Sequence, residues 1–226
     1  MALPEDHQGE PAAQPREFLA PFLALACVIL VATNSHWRPS FFWMDEGSVA
    51  LIGLIAVVLA RNGSVEDLGL GCTPRQGWWH WCLFSLRVGI ATGVVIALYA
   101  TALWMTGSPL PSVTIRPSDL ASQALLMLVY APVIEELVYR SLLCFALQPV
   151  AGTKVIILIS GTVFAAMHWV YGNPSPENQL GGFLLAYAYL RSGTIAVPIA
   201  MHSAGNAVAL IGQLAHWQLT SGNNGM

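Results

Sequence analysis

The sequence predicts an all-α fold, a polytopic transmembrane helical bundle of about seven spans with a cavity inside it. Three observations predict it. Of the 226 residues 55% are hydrophobic and only 9% charged, at a mean hydropathy of +0.60, whereas a water-soluble domain carries about 25% charged residues. Apolar segments recur along the chain, most of them near the ~20 residues that carry a helix across a hydrocarbon core. The breaks between them (NSHWRPS, RNGSVEDLGLGCTPRQG, TGSPLPSVTIRPSD and YGNPSPENQ) hold the Gly, Pro, Asn and Ser that end helices. Strands are not expected, because an isolated strand cannot satisfy its backbone in lipid.

The first 17 residues are acidic and proline-rich, with Glu5, Asp6, Glu10 and Glu17 against Arg16, and are expected to form a disordered tail. They lack the basic n-region of a secretory signal, so the apolar run that follows reads as a retained span. Spans are expected near 18–34, 42–60, 79–105, 119–148, 153–171, 179–191 and 194–216, the sixth short enough to be partial or tilted. The chain thus divides into a tail at 1–17, N-terminal transmembrane helices at 18–118, a helical core at 119–216 and a C-terminal tail at 217–226. Trp37, Trp43, Trp78, Trp79, Trp81, Trp169 and Trp217 fall near span ends and read as interfacial anchors. Asp45 and Glu46 are expected to cap the second span, and His36, His80 and His216 to lie at the interface. A cytoplasmic N-terminus puts Arg16, Arg61, Arg75, Lys154 and Arg191 inside against Arg38 and Arg116 outside, the orientation favoured by the positive-inside rule.

Two classes of function are excluded early. The nine Lys and Arg residues are scattered singly under a net charge of −3, which is no footprint for nucleic acid. Cys27, Cys72, Cys82 and Cys144 form no C-x-x-C pair, so neither a disulfide framework nor a cysteine-built zinc site is expected.

The informative residues are polar ones inside the spans, where a charge costs about 2.5–3.5 kcal/mol even on insertion scales. The fourth span reads ALLMLVYAPVIEELVYRSLLCFAL. Glu136 and Arg140 are four apart and can pair on one face. Glu135, rotated by about 100° from Glu136, has no partner in its own helix. Pro132 lies one turn earlier and frees the carbonyl of Leu128, which can kink the helix and admit water. The fifth span ends with His168, and Phe164 one turn before it can wall one side of the imidazole. The last span carries His202 and Asn206 on one face, with Ala204 and Gly205 small enough to let another helix approach. Arg87, inside the third span, has no evident partner.

Pointed inward, these groups would form one polar cavity. A water held between Glu135 and His168 becomes a nucleophile once a carboxylate takes its proton. N–H donors on His202 and Asn206 can hold the oxyanion of a tetrahedral intermediate. That is the chemistry of peptide-bond hydrolysis without a covalent intermediate. The order E-E-x-x-x-R (Glu135, Glu136, Arg140), F-x-x-x-H (Phe164, His168) and H-x-x-x-N (His202, Asn206) resembles the CPBP family. That family joins the CAAX prenyl endopeptidases of the Rce1 type to bacterial bacteriocin-processing and immunity proteins. The resemblance runs over residues 119–212. It implies a glutamate-dependent intramembrane endopeptidase with no cofactor and no metal, in which Glu135 is the general base and His168 helps to activate water. It also implies that His202 and Asn206 stabilise the oxyanion, while Glu136, Arg140 and Phe164 support the site.

The expected partners are the lipid bilayer and a membrane-protein or lipidated peptide substrate, cut near its C-terminus. The expected location is the inner membrane of a bacterium, as a multi-pass protein. Two rivals use the same residues: a zinc peptidase with Glu135, His168 and His202 as ligands, and a non-catalytic immunity or scaffold protein.

Overall fold

The computed structural model describes residues 15–37, 45–108 and 115–221. Among them are seven helices and no strand: α1 (Pro15–Trp37), α2 (Glu46–Ala60), α3 (Gly77–Met105), α4 (Pro117–Leu147), α5 (Thr153–Val170), α6 (Pro176–Ser192) and α7 (Ala196–Ser221). The chain is thus an all-helical membrane bundle. Helices α3, α4 and α5 are long and apolar enough to cross a membrane, while Phe18–Asn34 and Glu46–Ala60 are shorter apolar helices. Helix α6 begins earlier than expected because Pro176 stands at its first turn, where a missing N–H costs nothing. It stops at Gly193, which takes the left-handed conformation with φ 72°. Helix α7 runs on to Ser221, five residues past the expected 216, so the C-terminal tail expected from 217 is shorter. Residues 1–14 of the tail expected at 1–17 and Trp43 lie outside the described residues, as do the side chains of His36 and Trp37, while 15–17 open α1.

The helices bury small residues and turn large ones outward, as expected where lipid is the solvent. On α1, Ala20, Ala24, Cys27, Val28 and Val31 face inward, while Phe22, Ile29 and Leu30 are exposed. This inner face meets Val49, Ala50, Gly53 and Val57 of α2. Contact is closest at Gly53, where a Cβ would collide with Cys27 Sγ. Helices α5 and α6 meet as tightly: a Cβ on Gly182 would fall 2.9 Å from the Gly161 carbonyl oxygen and 3.0 Å from Phe164 Cβ.

Helix α4 is not a regular helix. Two π-helical turns, Leu126–Tyr130 and Leu137–Leu142, flank the α-helical Ala131–Glu136. Pro132 has no N–H to offer the preceding turn, and the carbonyls left there are taken up by α7. Ser203 Oγ donates to the Leu128 carbonyl at 2.8 Å, and Asn206 Nδ2 to the Met127 carbonyl at 2.7 Å. Such bulges widen a helix and often mark functional sites.

At the far end, the connection between α2 and α3 folds back onto the bundle. Leu68 is completely buried there, and its carbonyl accepts from Ser141 Oγ at 2.8 Å. The Gly69 carbonyl accepts from Ile195 N at 2.7 Å, and Arg75 N donates to the Ser192 carbonyl at 3.0 Å. Trp81 does not anchor at an interface as expected. It is 2% exposed, and its indole N–H donates to Gln76 Oε1 at 3.1 Å. Arg87 is exposed on α3 and makes no ion pair with any described residue.

Candidate active site

The polar interior is organised from Arg140 outward. Arg140 and Glu136 are completely buried and pair at 2.9 Å between Nε and Oε2, as their i,i+4 spacing predicts. The guanidinium also donates from Nη1 to Ser160 Oγ at 3.1 Å and lies 4.9 Å from the centre of the Phe164 ring. Ser160 Oγ in turn donates to the Tyr139 carbonyl at 2.9 Å, which ties α5 to the second π turn of α4.

The other oxygen of Glu136 is also engaged. His202 Nδ1 lies 2.9 Å from Glu136 Oε1. A carboxylate bonded to Arg140 acts there as acceptor, so Nδ1 carries the hydrogen and Nε2 is directed away from the pair. His168 is arranged the same way by a different partner. Its Nδ1 is 3.0 Å from the Phe164 carbonyl, which can only accept, so Nε2 is again the free nitrogen. Phe164 packs against both rings, tilted over His168 at 4.3 Å and edge-on to His202 at 5.9 Å between centroids.

Glu135 sits where the two free nitrogens converge. Its Oε2 is 3.9 Å from His168 Nε2 and 3.9 Å from His202 Nε2, beyond direct hydrogen-bond reach in both cases. That oxygen is buried without a hydrogen-bond partner among the described residues. Separations of this size are those that a bridging water spans. Glu135 and His168 both line a cavity of about 240 Å³ whose other walls are Val31, Glu46, Ile134, Val138, Tyr139 and Tyr171.

Of the seven residues singled out from sequence, Glu135, Glu136, Arg140, Phe164, His168 and His202 form one connected cluster. Asn206 lies outside this cluster. Its Nδ2 is bonded to the Met127 carbonyl and not to a group in the cavity. No group of three or more His, Cys, Asp and Glu side chains among the described residues is placed to hold a metal ion.

Sequence reasoning missed three contributors. The Glu136–His202 bond was in principle open to inference, since an i,i+4 pair with arginine leaves a carboxylate oxygen free for a group on another helix. The place of Ser203 follows from the carbonyl that Pro132 frees, which requires a donor from somewhere. Glu46 gave no such signal, because an acidic residue opening a helix needs no further reason.

Residues 117–208 match the family model described as type II CAAX prenyl endopeptidase Rce1-like. The match covers all seven motif residues. The chain matches no curated protein and no solved structure. The family supports a CAAX-type intramembrane endopeptidase acting on a membrane-associated protein substrate, and it implies a hydrolase. The domain at 117–208 is thus similar to the Rce1-type endopeptidases, which supports the CPBP family for this part of the chain.

Proposed function

We propose that the protein is a glutamate-dependent intramembrane endopeptidase that hydrolyses a peptide bond near the C-terminus of a membrane-associated or lipidated substrate. The observation that supports this reading is the position of Glu135 Oε2, unpartnered in the cavity wall and equidistant from two imidazole nitrogens. A water among these three atoms would give its proton to Glu135 while its oxygen attacks the substrate carbonyl carbon. His168, held by the Phe164 carbonyl, orients that water through Nε2. His202, its Nδ1–H held by Glu136, acts here as the imidazolium and donates Nε2–H towards the carbonyl oxygen on which charge develops. The tetrahedral intermediate collapses with cleavage of the C–N bond. The proton held by Glu135 passes to the leaving amine, leaving a new carboxylate terminus on the substrate.

In this scheme Asn206 is a positioning residue that fixes α7 to the opened turn of α4. We place the protein in a bacterial inner membrane as a multi-pass protein, with residues 119–216 as the catalytic core and the helices before them contributing to substrate choice. The test compares the C-terminal peptides of membrane proteins from cells carrying wild-type protein or Glu135→Gln at matched expression. New C-termini that appear only with wild type establish the protease and its cut site. Coincident profiles, with a phenotype that persists in both strains, replace it with an immunity or scaffold role.

A further inference from the structure

The cavity contains a carboxylate that the proposed chemistry does not use. Glu46 is the first residue of α2, half-buried, and lines the same 240 Å³ space as Glu135 and His168. Its neighbour Asp45 is committed elsewhere. Asp45 Oδ1 accepts from Ser48 N at 2.9 Å and from Tyr130 OH at 3.2 Å, and Oδ2 accepts from Ser48 Oγ at 2.9 Å. Asp45 therefore caps α2 by itself, where both acidic residues were expected to, and the Glu46 carboxylate makes no hydrogen bond or ion pair with any described residue.

Among the described residues, no Lys or Arg lines the cavity with Glu46. Arg140 is enclosed by Glu136 and Ser160, and Arg61 pairs with Asp67 in the connection after α2. The remaining walls are Val31, Ile134, Val138, Tyr139 and Tyr171. A peptide drawn against these walls displaces the water that solvates Glu46. A neutral or acidic side chain would leave the carboxylate stripped and unpaired, while Lys or Arg would pair with it.

We propose that Glu46 is a specificity-determining residue, which selects substrates carrying a Lys or Arg side chain within a few residues of the scissile bond. The inference rests on the endopeptidase reading and adds to it the chemistry of the substrate. Discrimination of this kind works mainly by rejection, because the wrong substrate buries a charge without a partner.

The test uses full-length protein in native membranes, as wild type, Glu135→Gln, Glu46→Gln and Glu46→Lys, with new C-termini of membrane proteins as the readout. Products that depend on Glu135 should be enriched in Lys or Arg beside the cut. Glu46→Gln should lower those products about tenfold relative to the rest, and Glu46→Lys should shift the set towards substrates with Asp or Glu at that place. A role limited to the helix dipole of α2 would lower every product alike, and that result, like an unchanged distribution in both variants, overturns the inference while leaving the protease standing. If no product depends on Glu135, the endopeptidase reading fails and takes this inference with it.

Discussion

His202 and Glu136 are joined across two helices by a 2.9 Å bond between Nδ1 and Oε1, and through it the buried ion pair of α4 sets the direction of the imidazole on α7. The two adjacent glutamates therefore have separate duties. Glu136 is consumed by Arg140 and His202, and Glu135 is left unpartnered at the cavity wall.

The first prediction follows from that division. Glu136→Gln leaves Arg140 buried without its counter-charge, and breaking a buried pair from one side costs about 3–5 kcal/mol. Glu135→Gln removes a carboxylate whose buried oxygen has no hydrogen-bond partner among the described residues, so it should not lower stability. Thermal unfolding in detergent should separate the two variants clearly. Peptidase turnover should fall by about 10²- to 10⁴-fold in Glu135→Gln despite its stability.

The second prediction separates support from orientation. Replacing Glu136 and Arg140 together by Leu and Met removes both charges, and such exchanges are often neutral or stabilising. The double variant should recover most of the stability lost in Glu136→Gln. It should not recover turnover, because His202 has lost the acceptor that directs Nε2. Full activity in the double variant would show that Glu136 does no more than balance Arg140.

The third prediction concerns the latch on α4. Ser203→Ala and Asn206→Ala each orphan one carbonyl in the opened turn, at about 1–3 kcal/mol apiece. Both should lower turnover to a similar extent, about tenfold, since each acts through the placing of α4. A direct oxyanion donor costs about 10²–10³ in turnover when removed. A loss of that size for Asn206→Ala, with Ser203→Ala near wild type, would move Asn206 into the reaction itself.

A fourth prediction tests the α5–α6 contact that backs Phe164. Gly182→Ala drives a methyl group to 2.9 Å from a backbone oxygen, which cannot swing aside, and overpacking of this kind costs about 1–3 kcal/mol. Gly89→Ala on α3 meets nothing within 4 Å and should leave stability unchanged. Activity should fall only in Gly182→Ala, because Phe164 is the wall behind both imidazoles.

Much of this site could be read from residue spacing. The pairing of Glu136 with Arg140, the solitary character of Glu135 and the freed carbonyl before Pro132 all follow from a helix of 3.6 residues per turn. What escaped was whatever depends on how one helix meets another. Nothing in H-x-x-x-N says that Asn206 turns towards Met127, because the side-chain direction is set by the crossing of α7 over the opened turn. Trp81 was misplaced for a related reason: a tryptophan near a span end has the composition of an anchor, and only its packing against Ala188 and Val197 shows it to be interior. The π turns of α4 were equally hidden, since a wider turn leaves no mark in residue type.

The bonds from Ser203 and Asn206 also act on a question of phase. Helix α4 is a screw on which Glu135 and Glu136 are neighbouring threads, one step of about 100° apart. Advancing the screw by one residue would bring Glu136 to the place of Glu135 and Leu137 to the place of Glu136, so that His202 would face a side chain unable to accept its hydrogen bond. Two carbonyls just upstream are held from a different helix, so the thread is indexed before it reaches the glutamates. Deleting one residue between Leu128 and Glu135 should therefore do more harm than many substitutions there, because every side chain would survive in the wrong place.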